Sequence, residues 1–411
     1  MSLPPLSPGQ LLKPRRFEFR IALIFAAIFF PLGVHLPYFP LWLEAKGFDA
    51  GQIGIILAAP MFLRIFTTPI LTALADRAGD RANVLLTLVA VSLVTSLGYF
   101  LPPGYTMVLA VSLALHVAWS AQSPLADSLA LSGVRRFRSS YPAMRIWGSI
   151  AFLCASLFGG AMLAITSPDI VPVIISSGLL ITLVVSLTLP RLGRPRRASP
   201  LSATDIQAAP KLFNRYFLLI VAGVGVINAS HGLLFGFVSI YWKSIGINDA
   251  AIGFLWAFAV VAEVGVFLMF TRVFGRLSAT AVLCVSGAAA ALRWVVFPLI
   301  VPLGLGLAGF FAVQGLHALS TGLFLIGLQK VIAETVAEER TGAAQGIAFF
   351  ANGFFMAVVT LLSGPLYERL GVDGFYVMAV IALAGLGLIV LAGRSTPERG
   401  IGRENHRTTV G

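Results

Sequence analysis

Nine residues that can bind a proton or carry a charge lie inside the long apolar stretches of this 411-residue chain: Arg64, Asp127, Arg145, Glu263, Arg293, His35, His116, His231 and His317. A carboxylate or an imidazole can exchange a proton, and a guanidinium can bind an anion through its five donors. An ionised side chain at the centre of a bilayer costs about 2.5–3.5 kcal/mol even on the mildest scale. These residues therefore predict proton or ion binding at membrane depth.

The composition supports this membrane assignment. The chain is 58% hydrophobic and 11% charged, and its mean hydropathy is +0.91. Because a span needs about 20 mostly apolar residues, we expect twelve transmembrane helices. The predicted spans are residues 21–43, 52–75, 83–101, 105–132, 143–166, 169–190, 214–242, 250–271, 279–300, 302–329, 342–365 and 373–393. The segments do not alternate in polarity as a transmembrane barrel would require.

The distribution of basic residues predicts the orientation. Only three of the 29 Lys and Arg residues, Lys46, Lys243 and Arg369, fall in the connections on one side of the predicted spans. Cytoplasmic loops are enriched in Lys and Arg, so both termini are predicted to be cytoplasmic. The formal net charge of +12 is spread over these loops, where it faces anionic lipid headgroups. We therefore expect no nucleic-acid partner.

The chain divides into two similar halves. At a register of 199 residues, Leu41-Trp42, Gly47 and Ile53-Gly54 are repeated as Ile240-Tyr241, Gly246 and Ile252-Gly253. The predicted organisation is therefore a six-helix bundle over residues 1–190, a basic cytoplasmic linker over 191–211, and a second six-helix bundle with a short basic tail over 212–411. Parallel repeats of this kind bind substrate near the midplane, between the halves.

The spacing of the intramembrane charges predicts two groups. Asp127 near the end of the fourth span and Arg145 near the start of the fifth lie at similar depth, close enough to pair. Glu263, Arg293 and His317 lie near the middle of three successive spans, because each residue adds about 1.5 Å of rise. We expect all these charges to converge on one chamber between the halves.

The loop after the second span carries a further pattern, Leu74-Ala75-Asp76-Arg77-Ala78-Gly79-Asp80-Arg81. It resembles the cytoplasmic signature of the major facilitator superfamily, with Asp80 where a basic residue is usual. The resemblance implies that Asp76, Arg77 and Arg81 form an ion-pair latch that gates the cytoplasmic side. A solvated charged turn is the simpler alternative.

The intramembrane motifs resemble a proton-coupled branch of that superfamily, which includes the bacterial 3-phenylpropionate permease and, more distantly, lactose permease and the nucleoside–proton symporters. The resemblance rests on Ser123-Pro124-Leu125, Arg145-Ile146-Trp147-Gly148-Ser149, Tyr241-Trp242, Val261-Ala262-Glu263-Val264, Arg293-Trp294 and Leu316-His317. It implies substrate binding by Asp127, Arg145 and His317, and proton coupling by Glu263, Arg293, His317 and Asp127. The carboxylate found one turn after the histidine in lactose permease is replaced by Ser320.

The resemblance also implies an aromatic carboxylate as substrate, with Arg64 or Arg145 as its counter-charge. Trp119 lies deep enough in its span to stack on a substrate ring. Each of these residues has a structural alternative: buried ion pairs often only specify packing, and a lone intramembrane His often only satisfies a backbone carbonyl. His35, His116 and His231 are assigned to helix packing on that ground.

Three kinds of function are consistent with the sequence. The first is proton-coupled symport, and thus uptake, of a small organic solute; a sugar or a nucleoside is the alternative to an aromatic acid. The second is a passive facilitator or exporter with the same fold. The third, a membrane-embedded enzyme or sensor, lacks any nucleophile motif or paired metal ligands. We therefore expect a monomeric, multi-pass protein of the bacterial inner membrane, in contact with lipid, with no catalytic activity, no cofactor and no metal.

Overall fold

The computed structural model describes residues 12–193, 214–336 and 340–395. Its described residues contain α-helices, short 3₁₀ turns and one π-helical segment, and no β-strand. Most of the predicted linker and the basic C-terminal tail lie outside these residues.

The helices follow the predicted apolar runs closely. In chain order they are α1 (Phe17–Ala45), α2 (Ala50–Arg77), α3 (Arg81–Ser96), α4 (Tyr105–Ser120), α5 (Gln122–Phe137), α6 (Tyr141–Ile165), α7 (Ile170–Leu187), α8 (Arg215–Ala229), α9 (Gly232–Ser244), α10 (Asp249–Val273), α11 (Ala279–Val296), α12 (Gly306–His317), α13 (Leu323–Thr335), α14 (Thr341–Leu370) and α15 (Gly374–Arg394).

Eleven helical stretches of the described chain are long and apolar enough to cross a bilayer. Three of them are interrupted: α4 continues into α5, α8 into α9, and α12 into α13. The last stretch, Ala343–Arg394, has 52 residues and contains both α14 and α15. A single crossing takes about 20 residues. Gly371, at φ +54°, ends α14 and opens the turn to α15.

The repeat seen in the sequence reappears in the backbone. Gly47 and Gly246 both adopt positive φ angles, +84° and +85°, in which a side chain would be strained. The next helices then start in the same way, because the Asp49 side chain accepts from the Gln52 N–H and the Asn248 side chain from the Ala251 N–H. These caps satisfy donors that a helix start otherwise leaves free.

Helix packing brings distant spans together. The first helix, α1, packs against α6 and α7, and α2 packs against α4, while α8 packs against α14 and α15. Helices from before and after the linker meet mainly through α2 with α14 and through α6 with α10.

Glycines allow these two inter-half contacts to be very close. A Cβ placed on Gly364 of α14 would lie 2.3 Å from the carbonyl oxygen of Ala50, and one on Gly160 of α6 would lie 2.6 Å from that of Asp249. Both contacts occur where α2 and α10 begin and where α6 and α14 end. By the predicted topology these four ends share one side of the membrane. We call this side the closed end.

Candidate transport site

A cavity of about 330 Å³ lies where α1, α2, α4 and α5 meet α9 and α14. This volume falls within the range of about 300–1,000 Å³ that is usual for small-molecule sites. Most of its wall is apolar, with Phe29, Phe39 and Phe235 among the lining residues. Its polar lining groups are Arg64, His35, His116, Trp119, Ser120, Ser123 and Thr360.

The polar groups of this cavity are incompletely paired. Arg64 Nε, His35 Nε2 and Thr360 Oγ1 are buried and have no hydrogen-bond partner within the described chain. Arg64 also takes part in no ion pair between described residues, and no Asp or Glu lines the cavity wall. A buried guanidinium without an anion is costly, so the cavity is suited to receive one.

A cluster of aromatic rings lines the same cavity as Arg64. The His35 ring centroid is 5.1 Å from that of His116 and 5.3 Å from that of Trp119, and His35 stacks on Phe39 at 4.5 Å. Rings at such distances are in favourable contact. Trp119 is 93% buried within the protein yet lines the cavity.

Asp127 and Arg145 lie together, as their sequence positions predict. Arg145 Nε is 3.9 Å from an Asp127 carboxylate oxygen, and the Tyr141 hydroxyl donates to the same oxygen at 2.8 Å. The Arg145 Cζ atom is also 4.2 Å from the ring centroid of Phe29. Phe29 lines the cavity, so this pair lies one side chain away from it.

Glu263 is placed apart from Arg293. It has no hydrogen bond or ion pair within the described residues, and its Cγ lies beside Gly322, in the π-helical segment Ala318–Gly322. The cation that acts electrostatically on the Glu263 carboxylate is Arg145, which belongs to the other half of the chain. The expected grouping of Glu263 with Arg293 is therefore not seen, since no ion pair joins them among the described residues.

Arg293 and His317 form a separate, buried cluster. Arg293 is 0% exposed; its Nη1 is 2.9 Å from His317 Nδ1 and its Nη2 donates to Gln314 Oε1 at 2.5 Å. His231 Nε2 lies 3.1 Å from Ser320 Oγ, the residue that replaces a carboxylate in the resembling permease. The π-helical segment that follows His317 is a local widening often found at functional positions.

The ion-pair latch predicted after the second span is local. Arg81 donates from Nε and Nη2 to one Asp76 oxygen, at 2.8 and 2.6 Å, within the turn between α2 and α3. Asp80 caps α3 by accepting from the Ala82 N–H at 2.8 Å. It also accepts from the Gly193 N–H at 2.7 Å, and so holds the start of the linker.

The predicted single chamber is therefore divided into three groups. Arg64 and Trp119 line the cavity, Asp127 and Arg145 pair beside Phe29, and Arg293 with His317 is enclosed in its own bundle. The sequence predicted a helix-packing role for His35 and His116, yet both line the cavity. Their only sequence signal was an imidazole in an apolar helix, since α1 and α4 are far apart in the chain.

A second cavity, of about 380 Å³, opens at the closed end. Trp42, Tyr99 and the loop 100–103 line it, and Lys46 contributes an ion pair of 2.6 Å with Asp169. It contains none of the residues predicted to bind substrate.

Residues 19–378 match the MFS_1 like family. The chain is 27% identical to a probable 3-phenylpropionic acid transporter of Escherichia coli strain K12, over 90% of this chain and 96% of the relative. It is 26% identical to a maltose permease of Geobacillus stearothermophilus, over 93% and 95% of the two chains.

Two solved structures share the fold. The nucleoside transporter NupG superposes with a TM-score of 0.76 at 15% identity, covering 92% of this chain and 98% of NupG. A bacterial homologue of the lysosomal transporter Spinster, in an inward-facing and occupied conformation, gives a TM-score of 0.73 at 13% identity, covering 96% of this chain and all of that one.

Proposed function

The chain belongs to the MFS_1 like family and is a multi-pass membrane transporter, and we propose that it takes up a small aromatic carboxylate, such as 3-phenylpropionate, together with protons. The observation that carries the proposal is that Arg64, which lines the cavity between the halves together with Trp119, has no partner among the described residues. A carboxylate would supply the missing anion, and the apolar wall would receive the ring.

The probable 3-phenylpropionic acid transporter supports this choice of substrate. The maltose permease makes a sugar the competing candidate. A neutral sugar would leave the charge of Arg64 uncompensated, whereas a carboxylate removes that cost. The cavity therefore favours the acid.

The proposed architecture is twelve spans in two six-helix bundles, residues 1–190 and 212–411, with α14 and α15 crossing the bilayer separately. Both termini and the 191–211 linker face the cytoplasm of a bacterial cell, and the protein is a monomer in its inner membrane. The closed end then faces outward, and the cavity is reached from inside. Transport follows when the bundles rock about the cavity.

The remaining charges are proposed to change partners during this motion. Arg145 pairs with Asp127 within its own bundle and acts on Glu263 across the interface. Proton binding to Glu263 or Asp127 would remove the negative charge of that carboxylate, and so change which of the two attracts Arg145. Arg293 and His317 would hold the second bundle in register, and Asp76, Arg77 and Arg81 would gate the cytoplasmic side.

Uptake into proteoliposomes tests the proposal. We expect labelled 3-phenylpropionate to accumulate under an imposed proton gradient, and a protonophore to abolish the accumulation. Arg64→Gln should weaken binding by about 10- to 150-fold, because a charge-assisted hydrogen bond contributes about 1.5–3 kcal/mol. Arg64→Lys keeps the charge without the fork of donors, and Arg272→Gln, at an exposed helix end, is the matched control.

Two results would contradict the proposal. Transport of maltose or a nucleoside, with no binding of aromatic acids, would exclude the substrate class. Accumulation that survives the protonophore would exclude proton coupling.

A further inference from the structure

Two imidazoles line the cavity beside Arg64 and have no role in the function proposed so far. His35 comes from α1 and His116 from α4, and their ring centroids are 5.1 Å apart. The polar wall around them is otherwise formed by hydroxyl groups and Trp119. No Asp or Glu among the described lining residues neutralises Arg64 or pairs with either ring.

The hydrogen bonds leave both rings able to accept a proton. His116 Nδ1 is 2.9 Å from the carbonyl oxygen of Ser112. A carbonyl only accepts, so Nδ1 carries a hydrogen and Nε2 of the neutral ring has a free lone pair. The described chain offers no partner to His35 Nε2, which is buried.

We propose that the His35–His116 pair binds the proton that enters with the carboxylate held at Arg64. The inference rests on the proposed function and names the proton site that works with the substrate. A carboxylate beside an imidazole favours the charged form of that ring. Two imidazoles this close repel when both are charged, so the pair takes up a single proton.

Charge balance gives this arrangement a transport role. The empty cavity carries the single positive charge of Arg64. The carboxylate pairs directly with Arg64 and cancels its charge, and the accompanying proton restores a net charge of +1 on the neighbouring imidazole pair. The empty and the loaded carrier then move the same charge through the membrane, so the solute adds no electrostatic cost to the reorientation.

The groups around the pair are consistent with this assignment. Arg64 of α2 acts electrostatically on His116, and His116 acts on His35. From the second half, α9 contributes Phe235 and Gly236 and α14 contributes Thr360, none of which is charged. Arg64 therefore discourages a proton in the empty cavity, and the substrate carboxylate removes that opposition.

Calorimetry of binding measures the proton directly. Titration of purified protein with 3-phenylpropionate at pH 7.5, in buffers of different ionisation enthalpy, gives the number of protons taken up per ligand. We expect about one proton for the unmodified protein, because the bound carboxylate favours the charged form of the neighbouring imidazole. The variant with both His35→Gln and His116→Asn should bind more weakly and take up almost none.

The single variants His35→Gln and His116→Asn still test the proton site if the double variant does not bind the substrate. His116→Asn retains a donor for the Ser112 carbonyl, and His35→Gln retains a polar group at the cavity wall. Each single variant should reduce gradient-driven accumulation at least tenfold while exchange of labelled for unlabelled substrate continues. Thermal unfolding of each variant in detergent shows whether its helices remain packed.

Three results would overturn the inference: no proton uptake on binding to the unmodified protein, an undiminished uptake in the histidine variants, or an uptake abolished by Glu263→Gln alone. Each leaves the aromatic carboxylate as the substrate. Failure of the unmodified protein to bind any aromatic acid would instead reject the proposed function, and the proton site with it.

Discussion

Replacement of Gly364 by alanine tests whether the closed end opens during transport. An added Cβ would lie 2.3 Å from the Ala50 carbonyl oxygen and 3.1 Å from the Gly51 Cα, and these neighbours are backbone atoms that cannot rotate away. An ordinary carbon–oxygen contact is about 3.3–3.6 Å, so α14 must move away from α2 by about 1 Å.

The cost of this contact is confined to the conformation described here. Overpacking of this kind costs about 1–3 kcal/mol. A conformation in which the closed end has opened would not contain the contact. The equilibrium should therefore shift toward that conformation by about 5- to 150-fold.

Spin labels measure this shift. Cysteines at Gly104 and Leu303 place one label on each half, in loops on the closed side, after Cys154 and Cys284 are replaced by serine. Pulsed electron resonance should show a longer distance between the labels in Gly364→Ala. The matched control is Gly387→Ala in α15, where an added Cβ meets no atom within 4 Å.

Replacing a glycine inside a helix by alanine favours the helix by about 1 kcal/mol. Gly387→Ala has this same gain, so the difference between the two variants reports the close contact alone. If the two variants gave the same distance distribution, the close helix contact would not determine which end is open, and the rocking mechanism would lose its structural basis.

Three further predictions concern the site and its supports. Trp119→Ala should weaken binding of an aromatic acid by about 2- to 10-fold, because a ring contact contributes about 0.5–1.5 kcal/mol. The control is Trp147→Ala, which lies outside the cavity and should leave the affinity measured by calorimetry unchanged. Asp80→Ala should lower stability to thermal unfolding by about 0.5–2 kcal/mol through loss of the α3 cap, with Asp80→Asn retaining an acceptor and most of the stability. Gln314→Leu should cost about 1–3 kcal/mol in the same assay because it removes the acceptor for a buried Arg293 donor, and an unchanged melting temperature would show that water takes its place.

Arg293 and Arg64 differ in how the desolvation of a buried guanidinium is compensated. Arg293 is surrounded by an imidazole and an amide inside one bundle, and its cost is met by fixed hydrogen bonds. Arg64 has no such partner in the part of the chain that the structure describes, and it faces a cavity. A ligand anion can therefore gain binding energy by pairing with Arg64, whereas the donors of Arg293 are largely occupied by protein partners.

The sequence alone determined the membrane class and most helix positions. Long apolar runs and the sorting of Lys and Arg fix these features because they depend on local transfer energies. The proximity of Asp127 and Arg145 also followed from the sequence, since the two residues flank one short connection and share a depth.

Only the tertiary structure decided which buried groups share a cavity. Depth follows from residue count, but the direction of a side chain around its helix depends on the neighbours that the helix packs against. Glu263 and Arg293 have similar predicted depth yet lie in different surroundings. His35 and His116, 81 positions apart, meet because α1 and α4 both border the inter-half cavity. No local pattern in either helix encodes that meeting.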